Sequence, residues 1–434
     1  VMDDQDFRRA VRELQQQVNN ALDESGVTGA EATLQYGKAV ITNVVRTYAD
    51  NLALLGRPAP TLDEEEQLKK AVENRIFYLG DLQPLVDDPE VENIDVNRYD
   101  QVWVTYTDGR KVTGPPAADS EEELIENVRR WGIYQGQNAR DFSTARPILH
   151  KALSNTVRLA AATGITPHTA FSIRKHGMLD ATMSDLAARG TMSWPVRHFL
   201  HAVMNVPMNV IVAGAMNSGK STLVRALAGD IDPFERLITV ENERELFLHL
   251  MPERHHDVLS FEARAANSEG EGAVTMRQLI DDAFRFNGRR ILVGEVRSDE
   301  LVPMLVAMNS GGRGSICTMH ADSAEEIFPR MEILAGSMPA DALFRLVGKA
   351  VDFIVYLRHE VSHDPDAPMN VRYISEIFEV LPPADSVVPA VNRVFVPGPD
   401  GRAVPNVTPQ CMDKLVKAGF DATMFIPRAG GLWN

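Results

Sequence analysis

The residues best suited to chemistry in this sequence gather in its second half. Gly214-Ala-Met-Asn-Ser-Gly219-Lys220-Ser221 fits the spacing G-x-x-x-x-G-K-[ST] of a phosphate-binding loop. An apolar run, Val210-Ile-Val-Ala213, precedes it, and a helix-forming stretch from Ser221 to Ala228 follows. Glycines let the backbone turn tightly and aim N–H groups inward. The helix N-terminus adds partial positive charge, and together they make a cradle for phosphate. Gly214, Asn217, Ser218, Gly219 and Thr222 frame that cradle. Lys220 is expected to reach the β- and γ-phosphates and the Ser221 hydroxyl to ligate Mg²⁺, so the expected ligands are ATP and Mg²⁺. Met216, beside the cradle, reads as a packing residue.

Two carboxylate sites accompany the loop. Glu241 follows the apolar Leu237-Ile-Thr-Val240, with Glu243 and Glu245 behind it, and Glu295 ends Arg290-Ile-Leu-Val-Gly294. A carboxylate at the C-terminal edge of a buried strand projects into the crevice where sheet enzymes bind ligands. One is needed near the metal and one to orient or deprotonate the attacking water. Spacing leaves open which does which. His320 follows Ile316–Met319 and reaches the same edge if the strands run parallel. There it would sense the γ-phosphate or hold the water-orienting glutamate; the alternative is a buried structural histidine. Arg277, Arg285, Arg289, Arg290 and Arg297 form a basic cluster, some to pair with carboxylates and one or two for nucleotide. His249, His255, His256 and Asp257 share a charged loop without a sulfur ligand and are not read as a metal site.

Several kinds of element must position these groups. Phe7, Val11, Leu14, Val18 and Leu22 repeat at helical spacing, which predicts an amphipathic helix docked on its own domain or on a partner. Thr61-Leu-Asp-Glu64 is a capping box that opens another helix. Between Val91 and Val112 the pattern turns strand-like, with Asp108-Gly109 as a turn; Ser120 caps a helix, and strand-like pieces follow at 156–161 and 170–174. From Asn209 short apolar strands alternate with helices, the grammar of a mostly parallel sheet. The expected architecture is therefore an α/β P-loop domain over 181–380, preceded by an α+β domain over 61–180 and a helical extension over 1–60. The Pro- and Gly-rich tail, 381–434, reads as an extension over the motor domain with one helix at Cys411–Gly419.

Composition sets limits. No stretch approaches the roughly 18–20 continuous apolar residues of a membrane span, and the acidic opening Val1-Met-Asp-Asp-Gln-Asp6 is not expected to be a signal peptide. Cys317 and Cys411, the two cysteines, cannot build a disulfide framework or a four-ligand zinc site, which fits a reducing compartment; Cys317 reads as a small buried hydrophobe. Acidic residues outnumber basic ones 60 to 44, a formal charge of −16. That balance opposes wrapping of nucleic acid, so none is expected as a partner.

Taken together, these residues resemble the type II/type IV secretion ATPase family, and within it the CpaF-like branch of pilus and secretion motors. The resemblance runs from about 85 to 380. Glu235-Arg-Leu-Ile-Thr-Val-Glu-Asn-Glu-Arg-Glu-Leu246 resembles the family's acidic "Asp box", and Gly270–Leu279 the stretch before the Walker B strand. Arg290–Arg297 resembles Walker B, with glutamate for aspartate, and Ala307–Asp322 the "His box". The resemblance implies a RecA-like motor with nucleotide held between it and an N-terminal domain. It implies a homo-hexameric ring, cytoplasmic and peripheral at the inner face of the cell membrane, pushing on an inner-membrane platform protein to drive pilus assembly or secretion. By position it makes Glu241 the catalytic base, Glu295 the Mg²⁺-associated carboxylate and His320 the His-box residue. It brings Arg174, in Phe171-Ser-Ile-Arg-Lys175, to the phosphates, with Arg158 doing likewise. Asn242 stands where aspartate is common and Gly312 where the His box often starts with histidine. The tetracysteine zinc module of the type II secretion and pilus-extension branch is absent, since there are two cysteines, which argues for the CpaF-like branch. A nucleic-acid translocating NTPase and a non-catalytic nucleotide-gated scaffold are the rival readings; DNA-stimulated hydrolysis would mark the first, binding without turnover the second.

Overall fold

A computed structural model describes residues 2–133, 142–264, 266, 271–361, 370–383 and 388–425. Gly270 of the stretch before the Walker B strand, and parts of the C-terminal tail, lie outside them. The chain divides into two compact units, Val1–Gly177 and Met178–Asn434. Among the described residues no helix is long and apolar enough to cross a membrane.

The first unit opens with helices α1 (Asp4–Ser25), α2 (Ala30–Leu54) and α3 (Leu62–Phe77). Val11, Leu14 and Val18 of the predicted stripe are buried against Ile41, Val45, Leu68 and Val72, so α1 docks on its own unit. The Asp3 side chain caps α1 through the N–H of Asp6 at 2.7 Å. Thr61 and Glu64 close the reciprocal box that opens α3. Helix α2 falls within the helical extension expected over 1–60, although no periodic stripe marked it individually. Its N-terminal half carries Gly37, and a Cβ there would stand 2.3 Å from Cζ of Phe77, so the glycine lets α2 and α3 approach.

After α4 (Gln83–Asp87) come β1 (Val91–Arg98), β2 (Gln101–Tyr106), β3 (Lys111–Thr113), α5 (Glu121–Ile133), β4 (Ile148–Ala152), β5 (Val157–Ala162) and β6 (Ala170–Lys175). They form an antiparallel sheet in the order β3-β2-β1-β6-β5-β4. Alternation along the strands sends Ile94, Val104, Leu159, Phe171 and Ile173 to one face, where they meet Leu124, Val128 and Trp131 of α5. Buried Arg75 ties the helices to this part of the unit through Asp81 at 2.7 Å and Asp119 at 3.3 Å.

The second unit starts with α6 (Met183–Ala188), α7 (Trp194–Asn205), β7 (Val210–Gly214) and α8 (Lys220–Ala228). It continues with β8 (Leu237–Glu241), β9 (Val258–Glu262), α9 (Met276–Ala283), β10 (Arg290–Val296), α10 (Leu301–Asn309) and β11 (Ile316–His320). Then follow α11 (Ile327–Leu334), α12 (Ala340–Ala350), β12 (Phe353–Val361), β13 (Asn370–Leu381), β14 (Ala390–Pro397), β15 (Ala403–Pro405) and α13 (Met412–Lys417). The sheet order is β15-β14-β13-β12-β7-β11-β10-β8-β9. From β12 to β9 every pair is parallel. Val210 and Val212 of β7 face a core shared with α7 and α8, whereas Ile211 and Ala213 face one shared with α9, α10 and α12. Burial on both faces explains why these strands read as continuous apolar runs.

One expectation is corrected. The tail beyond 381 is not a cover laid over the domain: β14 extends the same sheet antiparallel to β13, and β15 pairs antiparallel with β14. Buried Glu379 fixes the segment that follows, accepting from Asn392 Nδ2 (3.0 Å) and from the backbone N–H groups of Gln410 (2.8 Å) and Cys411 (3.1 Å).

Fully buried Asn209 anchors the root of β7. Its Nδ2 donates to the carbonyls of Met308 (3.1 Å) and Ala350 (2.7 Å), and its Oδ1 accepts from the N–H of Ser315 (3.0 Å). One amide thus satisfies the ends of α10 and α12 and the start of β11, the strand beside β7.

Candidate active site

Because β7, β11, β10 and β8 run parallel, Gly214, His320, Glu295 and Glu241 all sit at or near the C-terminal ends of their strands, hence at one edge of the sheet. His320 stands in register with Gly214 itself. The phosphate loop leaves β7 there. A Cβ on Gly214 would lie 2.5 Å from the Leu357 carbonyl oxygen and 2.7 Å from Ser218 Oγ, so only glycine fits. Asn217 (φ 60) and Gly219 (φ 91) adopt left-handed backbone, turning the chain into α8, which Gly219 caps. Lys220 curls back, its Nζ donating to the carbonyls of Gly214 (2.9 Å) and Ala215 (2.8 Å). Ser218 Oγ is fully buried in the loop with no hydrogen-bond partner, an orphaned polar atom. Thr222 accepts from buried Arg225 at 3.2 Å. Met216 is 72% exposed, so the packing expected of it is not made.

Glu241 is 1% exposed. Its Oε1 accepts the backbone N–H groups of Glu245 and Leu246, each at 2.9 Å, while Oε2 is buried without a partner. Burial pushes its carboxyl up from an ordinary 4.5 to about 7, the two N–H donors oppose that, and the nearby charges of Glu245 and Glu262 add to it. Gly294 makes the close approach possible, since a Cβ there would lie 3.1 Å from Glu241 Oε1.

Glu245 is the carboxylate that meets the phosphate loop: its Oε2 accepts from Ser221 Oγ at 2.9 Å. Sequence spacing passed over it as a residue behind Glu241. The turn that Glu241 pins is what brings it forward. Glu295 sits where β10 bulges, with one extra residue between Val293 and Val296 relative to β11. Thr318 Oγ1 holds the bulge through the Gly294 carbonyl at 2.6 Å, and Arg297 pairs with Glu295 at 2.6 Å. His320 is half-exposed and faces Asp322, with Nε2 at 3.0 Å from Oδ1; the buried structural alternative is set aside.

Four of the five clustered arginines pair with carboxylates: Arg277 with Asp299, Arg285 with Asp282, Arg290 with Glu235, and Arg297 with Glu295. Arg158 and Arg174 belong to the first unit. There they stand directly opposite one another across β5 and β6, on the face away from α5.

The donor set fits a nucleoside triphosphate with Mg²⁺. Inward backbone amides, a lysine and a helix N-terminus suit phosphate. Among the described residues no group of three or more His, Cys, Asp or Glu could hold a metal ion by itself. Mg²⁺ needs no such cage, because it binds through one or two protein oxygens together with phosphate oxygens and water. Ser221, with Glu245 on its hydroxyl, offers an oxygen of that kind at the loop.

Residues 154–359 match the family model described as type II/IV secretion system protein. The chain is similar to "Putative conjugal transfer protein Rv3659c" of Mycobacterium tuberculosis, 30% identical over 301 residues that cover 67% of this chain and 83% of that protein. It is 28% identical to the type IV secretion system protein VirB11 of Brucella suis over 346 residues, covering 73% and 92% respectively. Among solved structures, the Legionella pneumophila ATPase DotB superposes with a TM-score of 0.50 at 16% identity, covering 69% of this chain and 79% of that one, a likeness of fold.

Proposed function

The chain belongs to the type II/IV secretion system protein family, and on that premise we propose that its RecA-like second unit hydrolyses ATP at the loop Gly214–Ser221 to power secretion or pilus assembly. The observation that carries this is the convergence at one sheet edge. A phosphate loop, a serine hydroxyl bonded to a carboxylate (Glu245), and a buried carboxylate with one unpartnered oxygen (Glu241) come together there.

In this reading the loop amides and the Lys220 ammonium bind the phosphates, the lysine exchanging its two carbonyl partners for phosphate oxygens. Ser221 would hold Mg²⁺ through its hydroxyl oxygen while its O–H donates a hydrogen bond to Glu245, and Glu295 would serve as the second carboxylate. When bound, the ion neutralises charge on the transferred phosphoryl group. Glu241 acts as the base: its pinned Oε1 fixes the carboxyl plane and leaves Oε2 to take the proton of the attacking water. His320, held by Asp322, lies beside the loop's first residue and is placed to sense the γ-phosphate. Beyond the site, we propose a homo-hexameric ring, peripheral at the inner face of the cell membrane, that acts on an inner-membrane platform protein. The relatives' secretion systems support that reading.

The test is Mg²⁺-dependent ATPase activity of the full chain beside Lys220→Ala and Glu241→Gln, with particle mass measured with and without a non-hydrolysable ATP analogue. Turnover lost in both variants, in a hexameric particle, is the expected result. Full turnover in either variant would remove that residue from the mechanism.

A further inference from the structure

The hairpin of β12 and β13 reaches past the strand that feeds the phosphate loop. β12 pairs with β7 as far as Leu357 opposite Gly214; from Arg358 to Val361 it pairs with β13 residues Asn370 to Tyr373. That overhang is held together by polar side chains. Tyr373 OH donates to Glu360 Oε1 at 2.6 Å, and the His359 ring lies 3.0 Å from Asn370 Oδ1. It carries Arg372 to the loop. Arg372 Nε donates to the Asn217 carbonyl at 2.7 Å, across 155 positions of sequence. Its Cδ lies 3.8 Å from where a Cβ on Gly219 would stand.

From this geometry we infer that Arg372 is a positioning residue that sets the phosphate loop for nucleotide, an inference that rests on the ATP-site reading above. The C=O and N–H of one trans peptide point in opposite directions. Holding the Asn217 carbonyl out toward the guanidinium therefore turns the Ser218 N–H into the loop, where it donates to the Ala215 carbonyl at 3.3 Å. Exchanging that partner for a phosphate oxygen makes the amide a phosphate donor. Asn217 is itself left-handed at φ 60, a region that asparagine enters more readily than other L residues, and the anchor on its carbonyl helps hold that conformation. A guanidinium suits the task because its planar fork of donors loses little freedom on bonding. The anchor comes from a strand that no loop motif includes, which couples the hairpin to the occupancy of the site.

The experiment measures affinity before turnover. ADP and a non-hydrolysable ATP analogue are titrated into the full chain and into Arg372→Ala, Arg372→Met, Arg372→Lys and Lys220→Ala. Methionine keeps the stem over Gly219 and removes the donor, so it carries the test if the alanine variant fails to fold. Loss of the anchor is expected to weaken both nucleotides about five- to tenfold, with KM for ATP rising in parallel and kcat at saturation changing by less than about twofold. Lysine, which keeps a charged donor, is expected to recover part of the affinity. Wild-type affinity in Arg372→Met, or a fall in kcat with KM unchanged, overturns the inference and leaves the ATP site standing. A wild-type chain that binds no nucleotide overturns both.

Discussion

Glu241 ties stability to pH in a way that can be read out before any activity is assayed. In the folded protein burial keeps its proton on up to about pH 7, against an ordinary 4.5 in the unfolded chain. Between those values the folded state binds a proton that the unfolded state has released. The stability this confers is fully present below about pH 4.5 and is lost as pH rises through about 7. At about 1.4 kcal/mol per pH unit, the whole window corresponds to about 3 kcal/mol, of which about 2 falls between pH ~5.5 and ~8. Glu241→Gln removes the titration while its amide oxygen can still accept from the N–H groups of Glu245 and Leu246. Urea unfolding of both proteins at those two pH values isolates the effect, because every other titrating group is common to them. Buried His255, pushed down to about 4, is one such group. Wild type is expected to lose about 2 kcal/mol more than the variant on going from the lower pH to the higher. Parallel losses in the two proteins would refute the buried, proton-holding carboxyl. The same titration predicts that wild-type kcat falls about tenfold from pH ~8 to ~6, while Glu241→Gln is slower by roughly 10²–10⁴ and flat with pH.

Three other outcomes follow from contacts already described. Glu245→Gln is expected to raise the Mg²⁺ concentration for half-maximal activity about tenfold, since it weakens the acceptor on the Ser221 hydroxyl; an unchanged Mg²⁺ requirement would return that role to Glu295. Asn209→Ala strips partners from three buried backbone groups, and a loss of about 3 kcal/mol in urea unfolding is expected. A loss below about 1 kcal/mol would mean that the strand root repacks. Gly37→Ala puts a methyl into the Phe77 ring, so Tm should fall, and a protease should cut sooner within α1 to α3. An unshifted Tm with unchanged cleavage would show that Phe77 swings aside.

The phosphate loop was legible because its demands are local. A turn that needs Gly214 and Gly219, a lysine and a hydroxyl at fixed offsets, and a strand-then-helix context all lie within one short run of sequence. The capping box at Thr61 and the stripe from Val11 to Val18 were legible for the same reason, each resting on neighbours within one or two helical turns. The edge strands β14 and β15 were not. Their register is set by pairing of β14 to β13 and of β15 to β14, and a Pro- and Gly-rich composition gives an isolated segment no reason to extend.

By itself, then, the sequence determined the chemistry this chain carries: a phosphate cradle, its lysine and serine, and glutamates at the ends of buried strands, because residue type and short spacing dictate local geometry. Tertiary structure alone decided which carboxylate meets which partner. Glu241 turns inward onto two backbone amides, and that frees Glu245 to take the Ser221 hydroxyl. Arg372 reaches the loop from a strand about 150 residues away, through the order in which strands stack. Contacts of that kind depend on sheet order and bulges, which are set by the packing of the whole core.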